Sequence, residues 1–503
     1  MTRYIKSFRS EFNTIADRFS EKPAIIDANN DAEITYGALK NLIGRFGSLS
    51  KPGQVIFAML PNGSEALTAF LACCYHGAHY APVDCLTPLG DLKDRITQLD
   101  PSITLIAKDT PGGIVDYIKT LGIKIINVEL DGKFAFLPAE TQFSTAVAGR
   151  LLIQTSGTTG KPRVMVIDMD RLYSSGRAFL EHHGETNNDF RMWNYLPMSY
   201  LGGLFNLGLI PLTFGGSTVI TETFSGVTFL TFWQEVHHYQ INALWFVPTI
   251  VRGLLSLARR NQFENEGSIK IAFLGTAPID LKTKQEFEKT FKISLLENMA
   301  LSETTFFTTE TVASRDSRVE ASVGEKLPYV EICFAEIDRD ETQADTPPGK
   351  FREILVKSPF LFLGYLGQEE QTIELFDADG FMRTGDLGYI QGEGPLVLQG
   401  RNRDIIKKGG YIISMREMEV FTEKHPLVKE ASAVKTEHKF YGESYNLYVI
   451  LKNDDVTDGD ARDQVEVWVH ENLARTKWPE AIILKHDFPR TVTGKVKKNK
   501  FTN

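Results

Sequence analysis

A run of small, hydroxylated and cationic side chains stands near the end of the first third of the chain. It comprises Thr155, Ser156, Gly157, Thr158, Thr159, Gly160 and Lys161, followed by Pro162 and Arg163. Glycine lets backbone N–H groups turn toward an anion, the hydroxyls add O–H donors, and the lysine adds a positive charge. The apolar run Leu151-Leu152-Ile153 precedes it and is typical of a short buried strand. The pattern therefore predicts a phosphate-binding loop at the end of a strand.

This loop differs from a Walker A phosphate loop. That motif has four residues between its first glycine and a Gly-Lys pair, and then Ser or Thr. Here Gly157 and Gly160 are three positions apart, and Pro162 follows Lys161. Because proline lacks an N–H and biases the preceding residue toward extended backbone, we do not expect the loop to begin a helix. A turn without a ligand is the alternative interpretation.

The loop resembles the signature sequence of the adenylate-forming superfamily, which includes acyl-CoA synthetases, aryl-acid ligases, peptide-synthetase adenylation domains and luciferases. The resemblance extends over nearly the whole chain, because further motifs follow in the family's order. It implies that residues 155–160 bind ATP and that Lys161 takes part in catalysis. Where the family usually has Gly and His after this loop, the chain has Val164 and Met169. We expect these two departures to alter packing and to leave the chemistry intact.

Two later segments resemble the family's adenine-binding and metal-binding elements. The first follows the predicted strand 271–274, and a turn at the carboxyl end of a parallel strand is where ligands bind. The second ends in Glu303, which the resemblance implies holds Mg²⁺ beside the phosphates, since hard cations prefer carboxylate oxygens. The family's Tyr-Gly pair is replaced by Met299 and Ala300, so an aromatic face is missing and a softer Met contact takes its place. The implied ATP-binding residues are Gly275, Thr276, Ala277, Pro278, Asn298, Met299, Ala300, Leu301 and Ser302.

The last third of the chain resembles the family's ribose, hinge and catalytic-lysine motifs. The resemblance implies that Asp386 and Arg401 bind the ribose of ATP. It places Arg403 at a hinge and Gly409 and Gly410 in a loop that admits the thiol of coenzyme A or of a carrier-protein phosphopantetheine. It assigns to Lys495 the stabilisation of charge as the substrate carboxylate attacks the α-phosphate. An ordinary hairpin turn is the alternative for residues 405–410.

A pocket for the acid is expected near Tyr200, Gly202, Trp245 and Phe246, together with Gly275 and Leu301. Its aromatic and apolar lining favours an aryl or medium-chain acyl acid. Amino-acid-activating relatives place an aspartate for the α-ammonium group where this chain has residues 198–206. No aspartate occurs in that segment, which argues against a free α-amino acid as substrate.

The elements that carry these motifs alternate between strands and helices. Phe8, Phe12, Ile15 and Phe19 predict an amphipathic first helix, and residues 55–84 predict a βαβ unit with a parallel sheet. We predict an α/β fold: a large N-terminal domain, residues 1–400, and a small mobile α+β domain, residues 401–503, that carries Lys495. The large domain is divided into two parallel-type α/β layers, residues 1–150 and 151–310, and a β subdomain, residues 311–400, that forms a small β-barrel or a small antiparallel sheet. Residues 400–404 are polar and predict a linker.

Composition narrows the classes of function. A formal net charge of -9 argues against a generic nucleic-acid binder, and no apolar run approaches the roughly 20 residues of a membrane span. The N-terminus has no apolar signal segment, and the four cysteines have no metal-binding spacing, which is typical of buried thiols in a reducing compartment. We therefore expect a cytoplasmic protein without nucleic-acid partners. If it uses an acyl or peptidyl carrier protein, we expect that carrier to be a separate chain.

Two hypotheses follow. In the first, the chain uses ATP and Mg²⁺ to convert a small carboxylic acid into an acyl-adenylate, releases pyrophosphate, and transfers the acyl group to a thiol. In the second, it is a catalytically degenerate, nucleotide-binding member of the same fold that acts as a binding or scaffold protein. The joint presence of Lys161, Glu303, Asp386, Arg401 and Lys495 favours the enzyme, and the changes at residues 164, 299 and 300 favour the alternative.

Overall fold

The structure of the protein is a computed structural model. It describes residues 2–143, 147–155, 163–258, 267–277, 279–336, 352–390, 392–401, 404–408, 411–439, 442–452, 458–473, 475–490 and 496–501. The chain forms two compact units. The first comprises residues 1–315, 326–331 and 357–375, and the second comprises residues 316–325, 332–356 and 376–503.

The helices and strands are defined here in chain order. The α-helices are α1 (Phe8–Arg18), α2 (Tyr36–Phe46), α3 (Ser64–Tyr75), α4 (Leu89–Leu99), α5 (Gly112–Thr120), α6 (Met169–His182), α7 (Thr228–His238), α8 (Pro248–Leu257), α9 (Leu281–Phe291), α10 (Glu369–Ile373), α11 (Met415–Glu423) and α12 (Asp458–Asn472). The strands are β1 (Pro23–Asp27), β2 (Ala32–Thr35), β3 (Val55–Met59), β4 (His79–Pro82), β5 (Ile103–Ala107), β6 (Lys124–Val128), β7 (Arg150–Thr155), β8 (Arg163–Asp168), β9 (Arg191–Asn194), β10 (Ser217–Ile220), β11 (Ala243–Phe246), β12 (Ile271–Leu274), β13 (Leu295–Leu301), β14 (Thr305–Thr309), β15 (Glu325–Lys326), β16 (Glu331–Glu336), β17 (Arg352–Lys357), β18 (Gly364–Tyr365), β19 (Met382–Ile390), β20 (Leu396–Arg401), β21 (Ile405–Lys408), β22 (Tyr411–Ser414), β23 (Val428–His438), β24 (Gly442–Leu451) and β25 (Ala481–Leu484). A π-helix spans Gly202–Leu209.

The first helix and the first βαβ unit form as the hydrophobic pattern predicts. In α1 the buried residues include Phe8, Phe12 and Ile15, and the Ser7 side chain caps the helix by accepting from the N–H of Ser10. Strands β3 and β4 pair in parallel across α3. Every residue of α3 is buried, and this helix contacts β1 and β4, which belong to different sheets. Helix α3 therefore lies between the two sheets of the first unit.

A seven-stranded sheet carries the residues on either side of the signature loop. Its order is β18-β8-β7-β4-β3-β5-β6, with the pairs from β7 to β6 parallel and β8 antiparallel to β7 and β18. Both unusual residues after the loop are buried, with Val164 in the apolar cluster on this sheet and Met169 at the start of α6. The parallel half of the sheet is the predicted α/β layer.

A nine-stranded sheet forms the second layer, in the order β15-β14-β13-β12-β11-β9-β10-β1-β2. Strands β11, β12 and β13 are parallel neighbours, so the turns that follow them meet at one edge. Strands β1 and β2 belong to this sheet although they lie early in the chain. The predicted division at residue 150 therefore does not coincide with sheet membership, because the alternation that predicts a strand does not specify its partner.

The second unit contains a four-stranded sheet and a five-stranded sheet. The four-stranded sheet has the order β16-β17-β19-β20, and among the described strands it is open. The small β-barrel is therefore wrong and the small antiparallel sheet is confirmed, since four strands are too few to close around a core. The five-stranded sheet has the order β22-β21-β24-β23, with β25 against β24, and it packs with α11 and α12 as a small α+β domain.

The predicted linker at residues 400–404 also needs correction. Gly400 and Arg401 are the last residues of β20, and Arg401 pairs directly with Asp386 of β19. The charge of Arg401 thus belongs to a cross-strand pair of side chains, whereas residues 402 and 403 lie outside the described residues. No described helix has the length and apolar character needed to cross a membrane.

Candidate functional site

Part of the predicted site falls outside the described residues. This applies to Ser156, Gly157, Thr158, Thr159, Gly160, Lys161, Pro278, Arg403, Gly409, Gly410 and Lys495. Their assigned roles remain predictions. The residues described below belong to one or the other unit, and each unit is treated separately.

The two ends of the signature loop are held by paired strands. Thr155 ends β7 and Arg163 begins β8, and these two residues are antiparallel partners in the sheet. The residue after the loop therefore enters a strand. This confirms the expectation that the loop does not open a P-loop helix.

The two predicted adenine-binding segments lie side by side. Leu274 and Glu297 are partners in parallel strands β12 and β13, and the Asn298 side-chain amide donates to the Leu274 carbonyl at 2.9 Å. A Cβ atom at Gly275 would lie 3.1 Å from the Asn298 Oδ1 atom, so the glycine permits this close approach. Thr276 follows in the left-handed region, with a φ of 79°. The structure thus brings Gly275, the first residue of the turn, beside Asn298, as a shared ligand site requires.

Glu303 has a defined partner in Tyr365, a residue that the sequence analysis did not select. The Tyr365 hydroxyl donates to the Glu303 Oε1 atom at 2.9 Å. Burial, and then the Glu303 charge, raise the pKa of Tyr365, so this phenol keeps its proton and acts as donor. The backbone carbonyl of Glu303 accepts from the Phe362 N–H at 2.8 Å. Glu303 is therefore positioned through both its side chain and its main chain.

The predicted acid-pocket residues divide into accessible and buried groups. Tyr200 is 37% exposed, and its hydroxyl lies 3.4 Å from that of Ser302, next to Glu303 in the chain. Trp245 and Phe246 are both buried, at 1% and 0% exposure. Trp245 packs with Phe273 and other aromatic residues, whereas Phe246 lies in the core cluster of the nine-stranded sheet. Only Tyr200 of these three offers appreciable surface to a ligand.

The chain segment before Tyr200 is fixed by Asn62. The Asn62 amide donates to the Leu196 carbonyl at 2.8 Å and accepts from the Met198 N–H at 2.9 Å. Gly202 begins the π-helix that follows Tyr200, and such helices are often found at functional sites. Sequence analysis could not assign this bracing role to Asn62, because its partners lie more than 130 positions away along the chain.

In the second unit, the structure brings the predicted ribose-binding residues together. The Arg401 Nε atom lies 3.0 Å from the Asp386 Oδ1 atom, with the aspartate side chain 6% exposed and the arginine side chain 42% exposed. The Asp386 N–H donates to the Thr384 hydroxyl at 3.1 Å, which shapes the turn before it. A carboxylate held in this way can accept hydrogen bonds from sugar hydroxyls.

A buried ion cluster lies directly before Asn298. Lys284 on α9 places its Nζ atom 3.2 Å from a Glu297 oxygen and 2.5 Å from a Glu310 oxygen. The same Glu310 oxygen accepts from the Glu297 N–H at 2.9 Å. All three side chains are at most 8% exposed. The cluster therefore fixes Glu297 within β13, directly before residues 298–303.

Comparison with known proteins shows which family the chain belongs to. A model of the AMP-binding enzyme family matches residues 12–366, and a model of the AMP-binding enzyme C-terminal domain matches residues 417–495. The first match alone spans more than half of the chain. The chain belongs to the AMP-binding enzyme family. The resemblance noted in the sequence is confirmed.

Individual members of the AMP-binding family align with nearly the full chain. Sulfoacetate–CoA ligase of Cupriavidus necator is 27% identical, over 97% of this chain and 96% of that protein. Malonate–CoA ligase of Arabidopsis thaliana is 29% identical, over 92% of this chain and 78% of that protein. The ATP-bound crystal structure of MatB from Rhodopseudomonas palustris superposes with a TM-score of 0.85 at 26% identity, covering 98% of this chain and 97% of that one.

These matches confirm the predicted α/β class with a large N-terminal and a small C-terminal domain. They also confirm the first functional hypothesis in general form. This AMP-binding enzyme is an ATP-dependent ligase: it activates a carboxylic acid as an acyl-adenylate, releases pyrophosphate and passes the acyl group to a thiol.

Proposed function

We propose that this enzyme forms coenzyme A thioesters of a small carboxylic acid that carries a second anionic group. The observation that carries the proposal is the pair of relatives named for sulfoacetate and malonate, which align with more than nine tenths of the chain. Both named acids are short and doubly acidic. The aryl or medium-chain acid expected from the aromatic residues is the alternative, but Trp245 and Phe246 are buried in the core.

The accessible polar groups near the predicted acid pocket suit such a substrate. The hydroxyls of Tyr200 and Ser302 lie 3.4 Å apart, and each can donate to an anionic oxygen. Hydrogen bonds to charged acceptors are stronger than those between neutral groups. These two hydroxyls therefore favour an acid with a polar far end over a plain hydrocarbon chain.

Adenylation requires the substrate carboxylate to be held in line with the bond between the α-phosphorus and the departing pyrophosphate. The carboxylate attacks the α-phosphorus, an oxygen–phosphorus bond forms, and pyrophosphate leaves with the bonding electron pair. In our proposal Asp386 accepts the ribose hydroxyls, Arg401 keeps that carboxylate in place, and residues 275–277 and 298–302 line the adenine. Lys161 and Lys495 offset the negative charge that accumulates during attack.

The chemistry of Glu303 suits a magnesium ion shared with the phosphates of ATP. Its Oε1 atom accepts from Tyr365, while its Oε2 atom accepts no hydrogen bond from any described residue. The described residues contain no group of three carboxylate, histidine or cysteine side chains that could hold a metal alone. Mg²⁺ commonly binds through one or two carboxylates and substrate phosphates, where it neutralises developing charge. We therefore assign the binding of Mg²⁺ to Glu303.

The second half-reaction releases AMP. The thiol sulfur attacks the acyl carbonyl carbon and loses its proton to solvent, a carbon–sulfur bond forms, and AMP leaves with the electrons of the carbon–oxygen bond. We assign the thiol path to Gly409 and Gly410 and the reorientation of the small domain, residues 401–503, to a hinge at Arg403. A separate acyl or peptidyl carrier protein is the alternative acceptor.

The test is thioester formation with purified enzyme, ATP, Mg²⁺ and coenzyme A. The acids are matched pairs, malonate against propionate and sulfoacetate against acetate, with 4-hydroxybenzoate and octanoate representing the alternative classes. We expect at least one doubly acidic member to exceed its monoacid partner about tenfold or more in kcat/KM, the effect of ~1.4 kcal/mol of differential binding. A preference for octanoate or the aryl acid would contradict the proposal. Thioester formation only on a carrier protein would contradict the assignment of coenzyme A.

Asp386 allows the ribose assignment to be tested separately. We expect Asp386→Asn to raise the KM for ATP about tenfold or more, because hydrogen bonds to a charged acceptor contribute ~1.5–3 kcal/mol. Asp377→Asn is the matched control, since the Asp377 side chain accepts from the N–H groups of Asp379 and Phe381 within its own turn. Initial-rate kinetics at saturating acid measure both variants. An unchanged KM for ATP in Asp386→Asn would mean that this carboxylate does not bind the ribose.

A further inference from the structure

Tyr365 touches two parts of the first unit that are far apart in sequence. Its hydroxyl donates to Glu303 Oε1 at 2.9 Å. Its ring centroid lies 5.2 Å from the guanidinium carbon of Arg163, the first residue after the signature loop. The side chain itself is only 8% exposed. A single buried phenol therefore contacts both the proposed metal-binding carboxylate and the exit of the phosphate-binding loop.

The backbone around Tyr365 is held against the strand that leaves the loop. Tyr365 and Met165 are antiparallel partners between β18 and β8. The N–H of Leu363 donates to the Val166 carbonyl, and the N–H of Leu366 donates to the Val164 carbonyl, each at 2.8 Å. The phenol is thus carried by a short strand whose register is set by β8.

The same short segment is also tied to Glu303 and to helix α6. The Phe362 N–H donates to the Glu303 carbonyl at 2.8 Å, and the Arg171 guanidinium donates to the Leu361 carbonyl at 2.7 Å. A displacement of residues 361–366 would therefore move the Glu303 side chain and its backbone together. This segment is the physical connection between β8 and the turn that contains Glu303.

We propose that Tyr365 is a positioning residue that fixes the orientation of the Glu303 carboxylate relative to the signature loop. Its hydroxyl occupies Oε1, which leaves Oε2 for the metal. Its ring, beneath Arg163, sets the distance between this carboxylate and the loop exit. The inference rests on the proposed function in one respect, namely that Glu303 holds the Mg²⁺ of MgATP.

Tyr365→Phe tests the hydroxyl alone, because phenylalanine keeps the ring contact with Arg163. We expect the Mg²⁺ concentration for half-maximal activity to rise roughly 10–100-fold, the usual effect of losing a partner that orients a metal ligand. Binding of Mn²⁺ gives a readout that does not depend on turnover. Electron paramagnetic resonance detects Mn²⁺ as it binds to the enzyme in the presence of a non-hydrolysable ATP analogue. The dissociation constant of Mn²⁺ should rise by a similar factor, with the melting temperature little changed.

Tyr329→Phe is the matched control. Tyr329 is a buried tyrosine of the same unit that packs on Phe360, and its hydroxyl has no hydrogen-bond partner among the described residues. Removing that hydroxyl should leave the metal requirement unchanged. If Tyr365→Phe and Tyr329→Phe behave alike, the positioning role is refuted.

Glu303→Gln separates failure of the inference from failure of the function on which it rests. If Glu303→Gln raises the metal requirement and Tyr365→Phe does not, only the role of Tyr365 is overturned. If neither variant changes the metal requirement, the assignment of Mg²⁺ to Glu303 fails as well. The double variant should be no worse in metal binding than Glu303→Gln alone, because the hydroxyl acts through that carboxylate. Additive losses would contradict the proposal.

Discussion

Replacing Lys495 with alanine is expected to lower acid-dependent ATP–pyrophosphate exchange by about 10²–10³-fold. The expectation follows from its proposed contact with the carboxylate and the α-phosphate, since a donor aimed at developing charge typically contributes a factor of this size. Thioester formation from a supplied acyl-adenylate should be nearly unaffected, because that half-reaction has no attack on phosphorus. The two half-reactions are measured separately, by exchange of labelled pyrophosphate and by consumption of coenzyme A.

Lys500→Ala provides the matched control for Lys495→Ala. Lys500 is an exposed lysine of the same basic C-terminal segment. Its removal changes the net charge equally and should leave both half-reactions unchanged. Equal losses in the two half-reactions of Lys495→Ala would refute the role of Lys495 in adenylation. Equal losses in both lysine variants would point to a general effect of charge.

Lys284→Met is expected to lower the free energy of unfolding by about 3–5 kcal/mol. The substitution removes the Lys284 cation from the buried carboxylates of Glu297 and Glu310, and breaking a buried ion pair on one side has a cost of this size. Chemical denaturation followed by tryptophan fluorescence measures the change. Because Glu297 directly precedes Asn298, we also expect weaker binding of ATP in the folded fraction.

Lys282→Met is the control, because Lys282 is exposed on the same helix α9. A triple variant that combines Lys284→Met with Glu297→Gln and Glu310→Gln should recover much of the lost stability, since no unpaired charge then remains buried. Wild-type stability in Lys284→Met, or no recovery in the triple variant, would show that charge pairing is not what this cluster contributes.

Motifs in the sequence identified the family and predicted most of the candidate site, because they are local. The pair Asp386 and Arg401 illustrates this, since two short motifs predicted residues that the structure places 3.0 Å apart. The turn at residues 275–277 was likewise predictable, because it follows a strand of a parallel sheet. Residues 298–301 are instead the last part of strand β13, and the turn that contains Glu303 follows them. What these motifs could not supply is the partner of each residue.

Tyr365 and Lys284 were missed for different physical reasons. Tyr365 lies in the apolar run Pro359–Leu366, and its contact with Glu303 crosses 62 positions of the chain, so no local pattern signals it. Lys284 did carry a signal: it shares a helical face with Phe287 and Phe291, at spacings of three and four. A lysine on the same helical face as buried phenylalanines indicates one of two things. Either its charge is buried beside charged partners, or the face predicted to be buried is the wrong one.

The order of strands in the sheets likewise could not be predicted from local sequence patterns. Period-two and continuous apolar patterns located β1 and β3 correctly, yet β1 pairs with β10, nearly 200 residues away. The pattern did not distinguish the open four-stranded sheet of the second unit from a small barrel, because short strands separated by Pro and Gly are compatible with both. Strand partners depend on tertiary packing, which a single sequence does not encode locally.

The most direct test of the central claim is ATP–pyrophosphate exchange by the wild-type enzyme across a panel of carboxylic acids. The panel contains short diacids and sulfonates, monoacids, aryl acids, medium- and long-chain acids and amino acids. We predict Mg²⁺-dependent exchange with a short, doubly acidic member and none with free amino acids. Binding of ATP without exchange for any acid would contradict this prediction and would favour the nucleotide-binding scaffold protein.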